Sequence, residues 1–525
     1  MGNFKILDCT LRDGGYCNQW KFGKDNIKKI INSLMESGID IIETGFLTNK
    51  VTYNDEETKF TTMDEVSKFI PGDREGKIFV CLTNYGEYDL DDIPPYDGSS
   101  LDGLRIAFHK KNMIPALNLC QGIKEKGYKV FIQAMVSLSY SDEEFLELIH
   151  RVNEIKPYAF YIVDSFGVMK KKDLIRLFYM VEHNLDEKVS IGYHSHNNMQ
   201  LAFSNAQALI DIVTRRDLII DASVFGMGRG AGNLNTELLV EYLNDNIGTS
   251  YTFKPLLTII DEILNPFYQQ NYWGYSLPNY LSAKHNTHPD YAGYLDAKKT
   301  LTVENMDEIF SMMDDAKRVN YDKEYIEELY IQYMATGQVQ ESHLAELRER
   351  IIGKKVLIIA PGKSSLEEKD KIIDCANQND VITISVNFDY TEYNTDFIFL
   401  SNLRRFRELK EEKRKKCIVT SNIPAVGAYL QTKYRDLINN IDAVRDNAGM
   451  MLIKFLIQLG AQKIYIAGID GYSPDPMENF ADQRMNFFTQ KNNFEAMNDG
   501  MNKMLKEYQK EIDIEYITTP KYINI

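Results

Sequence analysis

The chain has 525 residues, too many for a single ordinary hydrophobic core, so we expect two or more domains. Its 44% hydrophobic and 26% charged residues are typical of globular proteins, and a formal net charge of −16 argues against nucleic acid or an anionic membrane as a partner. Because the sequence has no long apolar run, no signal-peptide pattern at MGNFKILDCT and no CxxC pair among its six cysteines, we expect a cytoplasmic protein without a membrane span.

Short, β-branched apolar segments recur through the first 230 residues and are predicted as strands. They are 4–8, 39–46, 77–83, 101–108, 129–136, 160–165, 189–196 and 218–226. Helical apolar spacing occupies segments between them, as in 25–38 and 142–155. This alternation predicts an α/β fold with a closed (β/α)8 TIM barrel over residues 1–245, and an open doubly wound sheet is the competing topology.

Polar side chains gather at the C-terminal ends of the predicted strands, which is where a parallel barrel places its active site. They are Asp8, Arg12, Asp13, Glu43, Arg105, His109, Asp164, Ser165, His194 and His196. Surface solvation alone does not account for such a bias toward one end of otherwise apolar strands. The pattern therefore predicts a functional site there.

His194 and His196 form an H-x-H pair on the seventh predicted strand. Alternate residues of a strand point to the same face, so both imidazoles can reach one ion. Asp13 offers a carboxylate from the end of the first strand, which lies close to the seventh in a closed barrel. This set suits a divalent cation such as Mn²⁺, Mg²⁺, Co²⁺ or Zn²⁺, whereas a chance histidine pair on a surface strand is the alternative.

Five motifs resemble those of the pyruvate carboxyltransferase, or HMG-CoA-lyase-like, group of metal-dependent aldolases and lyases, which includes 4-hydroxy-2-oxovalerate aldolase. They are DCTLRDGG (8–15), IIETGF (41–46), VDSFGVM (163–169), HSHNN (194–198) and GMGRGAGNLNTE (226–237). The motifs occur in the family's order, and the resemblance covers about residues 4–300. It implies a TIM barrel and a divalent metal, Mn²⁺ or Mg²⁺ ahead of Co²⁺ or Zn²⁺.

The same resemblance implies roles for individual residues. Asp13, His194 and His196 would ligate the metal, Asn233 would be a further ligand, and Arg12 would stabilise an enolate oxygen.

Other candidates keep two interpretations each. Ser165 lies near the family position that contacts the substrate carboxylate, or it caps a strand. Glu43 binds the substrate region or orients water or a ligand there, or it is an ordinary buried carboxylate. The oxovalerate aldolases have a histidine base soon after RDG, but this chain has Tyr16 near that place, so Tyr16 is either an acid/base group or an aromatic wall. His109 is the next candidate for proton transfer.

Residues 246–350 are predicted as a helical extension or linker. Its aromatic stretch, 268–295, contains His285, His288 and Tyr291, which could reach the substrate from a flap over the barrel. A contact between subunits is the alternative interpretation of this stretch. We expect a homo-oligomer, specifically a dimer.

Strands and helices alternate again from about residue 352, which predicts a Rossmann-like α/β domain over 351–525. The stretch 446–472 and the turn APGKSS (360–365) resemble sialyltransferase-like and motility-accessory glycosyltransferase domains over about residues 354–475. The resemblance implies nucleotide or nucleotide-sugar binding, with a degenerate domain used only for assembly as the alternative. The candidate binding residues are Gly362, Ser364, Asn387 and Asp470.

These observations predict a divalent-metal-dependent aldolase that uses pyruvate or a similar 2-oxo acid and an aldehyde, both small molecules. The second domain suggests a sugar aldehyde and a setting in carbohydrate or surface-polysaccharide biosynthesis. One alternative is an acetyl-CoA-dependent 2-oxo acid synthase resembling isopropylmalate or homocitrate synthase. Another is a nucleotide-sugar binding or transfer protein with the barrel as an accessory.

Overall fold

The computed structural model describes residues 3–298, 301–335, 341–424, 426–485 and 491–524. The chain divides into two compact units, Met1–Gly293 with Arg318–Asn320, and Tyr294–Lys317 with Tyr321–Ile525. Within the described ranges, none of the helices combines the length and the apolar character that crossing a bilayer requires.

The first unit is built on a parallel sheet that closes on itself, because its first strand pairs with both the second and the last. The strands are β1 (Phe4–Asp8), β2 (Ile41–Leu47), β3 (Lys59–Phe60), β4 (Ile78–Asn84), β5 (Gly103–Phe108), β6 (Lys129–Ala134), β7 (Ala159–Asp164), β8 (Ser190–Ser195) and β9 (Leu218–Ala222). Strand β3 only extends the sheet beside β2, and the other eight form the barrel in the order β1-β9-β8-β7-β6-β5-β4-β2. The predicted (β/α)8 TIM barrel is confirmed.

Helices connect these strands and continue beyond the barrel. In residues 3–298 they are α1 (Thr10–Asp13), α2 (Gly15–Asn18), α3 (Lys24–Glu36), α4 (Met63–Ser67), α5 (Met113–Glu125), α6 (Asp142–Ile155), α7 (Lys171–Asn184), α8 (Ala202–Ile210), α9 (Thr236–Ile247), α10 (Lys254–Ile259), α11 (Asn265–Gln270), α12 (Leu277–Lys284) and α13 (Pro289–Ala297). A π-helical turn, Ile260–Leu264, joins α10 to α11, and 3₁₀ turns occupy Leu90–Asp92, Lys110–Asn112, Ser137–Ser139 and Val224–Gly226.

Apolar side chains cover both faces of the barrel strands, and those inside the barrel include Leu7, Ile41, Val80, Phe131, Tyr161 and Ile219. A larger outer layer of apolar side chains packs the strands against the helices. Because both faces of each strand are buried, the strands read as nearly continuous apolar runs. The polar residues at the strand ends therefore stand out at one end of the barrel.

The region predicted as one helical extension, 246–350, is divided between the two units. Leu256, Ile259, Ile263 and Trp273 join the outer apolar layer of the barrel, which explains why α10 to α12 belong to the first unit. The later helices belong to the second unit, where the Tyr330 hydroxyl bonds to side chains farther along the chain.

The second unit contains a parallel sheet of seven strands in the order β14-β13-β12-β11-β10-β15-β16. They are β10 (Lys355–Ile359), β11 (Val381–Val386), β12 (Phe397–Leu400), β13 (Cys417–Thr420), β14 (Leu430–Thr432), β15 (Lys463–Ala467) and β16 (Asp513–Tyr516). The chain winds outward from β10 to β14 and then returns to the opposite side of β10. This reversal is the topological switch point of a Rossmann-like sheet, so the predicted fold is confirmed.

The helices of the second unit lie between these strands and before the sheet. They are α14 (Val303–Ser311), α15 (Lys323–Met334), α16 (Glu341–Ile351), α17 (Ser364–Glu367), α18 (Lys369–Ala376), α19 (Leu403–Glu408), α20 (Glu411–Arg414), α21 (Tyr434–Leu437), α22 (Ala448–Leu459) and α23 (Lys491–Tyr508), with 3₁₀ turns at Asp315–Lys317, Asp442–Val444, Pro476–Glu478 and Gln483–Met485.

Candidate active site

Asp13, His194 and His196 meet at the C-terminal end of the barrel. Asp13 ends α1, the single turn that follows β1, whereas His194 lies in β8 and His196 comes just after it. One ligand atom from each side chain lies within 4.8 Å of the others, and all three residues are buried. The three groups are therefore placed so that they could share a metal ion.

Asn233 completes the cluster from the loop after β9. Its Nδ2 donates to Asp13 Oδ2 at 2.7 Å, and its backbone forms a β-bridge with His196. Asn233 Oδ1 and His196 Nδ1 are buried without a hydrogen-bond partner among the described residues. Burying an unpartnered polar atom costs about 1–3 kcal/mol. Two such atoms beside a carboxylate fit a divalent cation, which takes oxygen and imidazole ligands.

Gly228 leaves the space in which Asp13 and Asn233 meet. A Cβ atom at this position would lie 2.3 Å from Asn233 Nδ2 and 2.7 Å from Asp13 Oδ2. Any side chain would therefore displace one of the two. This close approach gives a physical reason for glycine in the GMGRG segment.

Arg12 connects Asp13 to a second buried carboxylate. Its Nη1 donates to Asp13 Oδ1, and its Nε donates to Glu43 Oε2 at 2.8 Å. The remaining nitrogen, Nη2, forms no hydrogen bond within the described part of the chain. Glu43 is fully buried, and the structure places it as the acceptor that orients Arg12.

The ion pairs continue from Glu43 around the interior to His194. Glu43 Oε1 lies 2.9 Å from Arg105 Nη1, and Arg105 Nη2 pairs with Asp221. Asp221 Oδ2 lies 2.9 Å from His194 Nδ1, which fixes that nitrogen as the donor and leaves Nε2 available as a ligand. We call Arg12, Glu43, Arg105 and Asp221 the ion-pair chain; it links Asp13 to His194.

The electrostatic surroundings favour the protonation states that metal ligands need. Burial tends to raise the pKa of Asp13, but the adjacent Arg12 guanidinium outweighs it and holds that pKa well below its usual range. Burial lowers the pKa of His196 to about 3, although the Asp13 carboxylate opposes this shift. At neutral pH, Asp13 is therefore anionic and the His196 imidazole is neutral.

Arg229 and His288 adjoin this cluster. Arg229 Nη1 lies 3.3 Å from His288 Nε2, and Arg229 Nη2 lies 3.3 Å from the backbone oxygen of Ser165. The guanidinium also lies over the Tyr16 ring, 5.5 Å from its centroid. Burial, followed by the charge of Arg229, lowers the pKa of His288 to about 3, so its ring is neutral.

The structure places the predicted residues Tyr16, Ser165 and His109 as follows. Tyr16 is 41% exposed and packs edge-on against Trp20. The Ser165 hydroxyl oxygen accepts from the backbone N–H of Val136 at 2.9 Å. His109 directly follows β5, and burial together with Lys111 lowers its pKa.

His285 and Tyr291 contact the segment 318–320. The His285 carbonyl accepts from Arg318 Nη1 at 2.6 Å. Tyr291 is fully buried and donates its hydroxyl to the carbonyl of Asn320 at 2.8 Å. These bonds hold the helical segment onto residues that return to the first unit, and a substrate contact for either side chain stays a prediction.

The four residues predicted to bind a nucleotide lie at the C-terminal edge of the second sheet. Gly362, Asn387 and Asp470 line a cavity of about 810 Å³. Ser364 is buried beside the cavity, and its hydroxyl donates to the Asp470 carboxylate.

Asp221 and Arg229 are residues that the sequence did not assign to the site. Asp221 interrupts the apolar strand LIIDA, and a lone carboxylate there is a signal that it faces a buried cation or histidine. Arg229 stands in the recognised GMGRG segment, but only the fold shows that it contacts His288 and Tyr16.

Residues 111–261 match the HMGL-like family. A 4-hydroxy-2-oxovalerate aldolase of Geobacillus genomosp. 3 is 28% identical over 267 residues, which are 50% of this chain and 77% of that protein. An oxaloacetate decarboxylase of Mycobacterium tuberculosis is 28% identical over 247 residues, covering 45% of this chain and 69% of the relative. The crystal structure of the N-terminal domain of a proposed aldolase from Bacteroides vulgatus has 30% identity and a TM-score of 0.48, covering 56% of this chain and 96% of that one. The N-terminal barrel therefore contains an HMGL-like domain, and the sequence relatives named here are aldolases and lyases.

Proposed function

We propose that the first unit is a divalent-metal-dependent carbon–carbon lyase that acts on pyruvate, or a similar 2-oxo acid, together with an aldehyde. The buried cluster of Asp13, His194 and His196 carries this proposal, because its ligand atoms converge within 4.8 Å at the catalytic end of the barrel. Asn233 Oδ1 would be a further ligand. Mn²⁺ or Mg²⁺ suits a set in which oxygen ligands take part.

When bound, such an ion supplies Lewis-acid polarisation of the carbonyl group of a 2-oxo acid. Arg12 adds a fixed positive charge next to the ligand Asp13, and its Nη2 forms no hydrogen bond with any residue that the structure describes. A guanidinium held by Glu43 and Asp13 is already oriented, so it can support a developing enolate oxygen without reorganising. The site thereby favours formation or cleavage of the bond between the carbon atoms α and β to that carbonyl group, with the electron pair of a cleaved bond taken up by the enolate.

Arg229 and His109 would complete the site. Arg229 is a second cation beside the cluster, and we assign it to the carboxylate of the 2-oxo acid. His109 makes no side-chain hydrogen bond within the described residues, and its lowered pKa leaves a neutral ring that can accept a proton at neutral pH. His288 is a weaker candidate because its Nε2 already faces Arg229.

The proposal is tested by removing the metal and measuring 2-oxo acid production. The full chain is stripped with EDTA, reloaded with Mn²⁺ or Mg²⁺, and assayed for pyruvate release from a panel of 4-hydroxy-2-oxo acids through a coupled lactate dehydrogenase. We expect activity only in the reloaded protein. His196→Ala should abolish it, whereas His183→Ala, in the exposed part of α7, should not.

Two further assays distinguish the aldolase from a lyase that uses no aldehyde and from an acetyl-CoA-dependent synthase. Consumption of oxaloacetate without any aldehyde-dependent reaction would keep a lyase but refute the aldehyde substrate. Thiol release from acetyl-CoA on addition of 2-oxo acids would replace the aldolase with a synthase. Activity that survives complete removal of the metal would refute the proposal.

A further inference from the structure

The second unit contains a large cavity at the C-terminal edge of its sheet. Its volume is about 810 Å³, and Gly362 after β10, Asn387 after β11, Asn402 after β12 and Asp470 after β15 line it. Strands β11 and β15 flank β10 on opposite sides, so the cavity lies at the switch point of the sheet. Open α/β sheets bind their ligands in this crevice. The volume is in the range of sites that enclose one small organic ligand.

Donors for an anion line this cavity. Lys298 lies over the rings of Tyr294 and Tyr330, at 5.0 and 5.2 Å from their centroids, and Arg404 Nη2 donates to the Leu301 carbonyl. Neither cation forms an ion pair with a carboxylate among the described residues. Two positive charges in the wall are therefore left to attract a negatively charged ligand.

Helix α22 also begins at the cavity, with Ala448 and Gly449 in its wall. The Asn447 side chain accepts from the N–H of Met450, and the first two N–H groups of the helix have no intrahelical partner. A helix start of this kind favours a phosphate. Ser401, in the same wall, is about 1% exposed and its hydroxyl has no partner within the described ranges, so a polar ligand atom can bond to it.

Five carboxylates also line the wall, and three of them are paired with cations: Glu327 with Arg445, Glu408 with Arg405, and Asp442 with Lys323. Asp446 and Asp470 accept from the hydroxyls of Tyr330 and Ser364 and keep their negative charges, which the charges of Lys298 and Arg404 balance.

Apolar and aromatic groups form the rest of the wall. Tyr294, Tyr472 and Phe480 contribute aromatic surface, and Ile469 and Met501 contribute aliphatic surface. Such surfaces bind a flat ring such as a nucleobase. We propose that this cavity binds a nucleoside phosphate, with its phosphate groups taken by the cations and the helix start and its base by the aromatic wall.

The test is isothermal titration calorimetry of the full chain in EDTA, so that a metal in the barrel does not contribute. The probes are the 5′-mono- and diphosphates of cytidine, uridine, adenosine and guanosine, the four nucleosides without phosphate, and inorganic phosphate. We expect at least one nucleotide to bind once per chain, and to bind about tenfold or more tightly than its nucleoside or inorganic phosphate.

Two variants locate the site. Arg404→Ala should weaken nucleotide binding about tenfold or more, because a charge-assisted hydrogen bond is lost. Arg407→Ala is the matched control: it lies one turn along α19, pairs with Glu304 on the surface and does not line the cavity. Lys298→Ala provides a second test from another wall. Binding of none of the nucleotides, equal binding of inorganic phosphate, or wild-type affinity in both Arg404→Ala and Lys298→Ala would overturn the proposal.

Discussion

Replacement of Asp221 by asparagine tests how the ion-pair chain supports the candidate metal site. Asp221 accepts from His194 at 2.9 Å and pairs with Arg105, and both Asp221 and Arg105 are buried. Asp221→Asn keeps the size of the side chain but removes its charge. The His194 ring then loses its anionic anchor, and the guanidinium of Arg105 keeps only Glu43 as a partner.

Two magnitudes follow from this geometry. Loss of a carboxylate that orients a ligating histidine lowers metal affinity about 10–100-fold. Breaking one side of a buried ion pair costs up to about 3–5 kcal/mol of folding free energy, since Arg105 then loses one of its two carboxylate partners. Asp217→Asn is the matched control, because Asp217 pairs with Lys5 at a partly exposed position four residues earlier. Loss of the Asp217–Lys5 pair should lower the folding free energy by about 0–1 kcal/mol and should leave the Mn²⁺ affinity unchanged.

Mn²⁺ affinity is measured by competition with a fluorescent chelator, and stability by guanidinium unfolding in EDTA. Wild-type Mn²⁺ affinity in Asp221→Asn would refute the role of Asp221 in orienting His194. Unchanged stability of the metal-free protein would refute the energetic argument.

Three further changes have defined outcomes. Gly228→Ala should abolish Mn²⁺ binding in the same competition assay because its Cβ would displace the ligands beside it, whereas Gly293→Ala, with nothing within 4 Å, should leave binding intact. Arg12→Lys should lower kcat about 10²–10³-fold in the pyruvate-release assay, because the positive charge remains but the planar set of guanidinium N–H donors is lost. Metal content should stay near one ion per chain, and a loss of metal equal to the loss of kcat would contradict the role of Arg12. Tyr330→Phe should lower the unfolding free energy of the second unit by about 1–2 kcal/mol in guanidinium, because the Tyr330 hydroxyl bonds to that of Tyr434 at 2.7 Å. A double-mutant cycle with Tyr330→Phe and Tyr434→Phe measures this coupling, and strictly additive losses would exclude it.

The barrel strands could be predicted because burial on both faces makes each of them a compact apolar run. Two strands of the second sheet gave no such signal. Strand β14 has only three residues, and β16 alternates exposed and half-buried residues at the edge of the sheet. Their pairing depends on neighbours that are remote in sequence, which a local apolar pattern does not reveal.

The candidate ligands could be predicted from strand ends, since His194 and His196 alternate on one strand and Asp13 follows another. The contacts that hold them could not. Arg105 and Asp221 are 116 residues apart, on strands β5 and β9 that are not neighbours in the sheet. Only closure of the barrel brings both side chains into one interior, so the partner of each buried charge is a property of the fold.

The sign of the charge inside the barrel has a consequence for the order of binding. Asp13, Glu43 and Asp221 contribute three negative charges, Arg12 and Arg105 contribute two positive ones, and Arg229 beside the cluster adds a third, so this set is neutral overall. A dication entering first makes the set doubly positive, which attracts a monoanionic acid that arrives second. An acid arriving first would lack that attraction, so this arrangement favours binding of the dication before the acid.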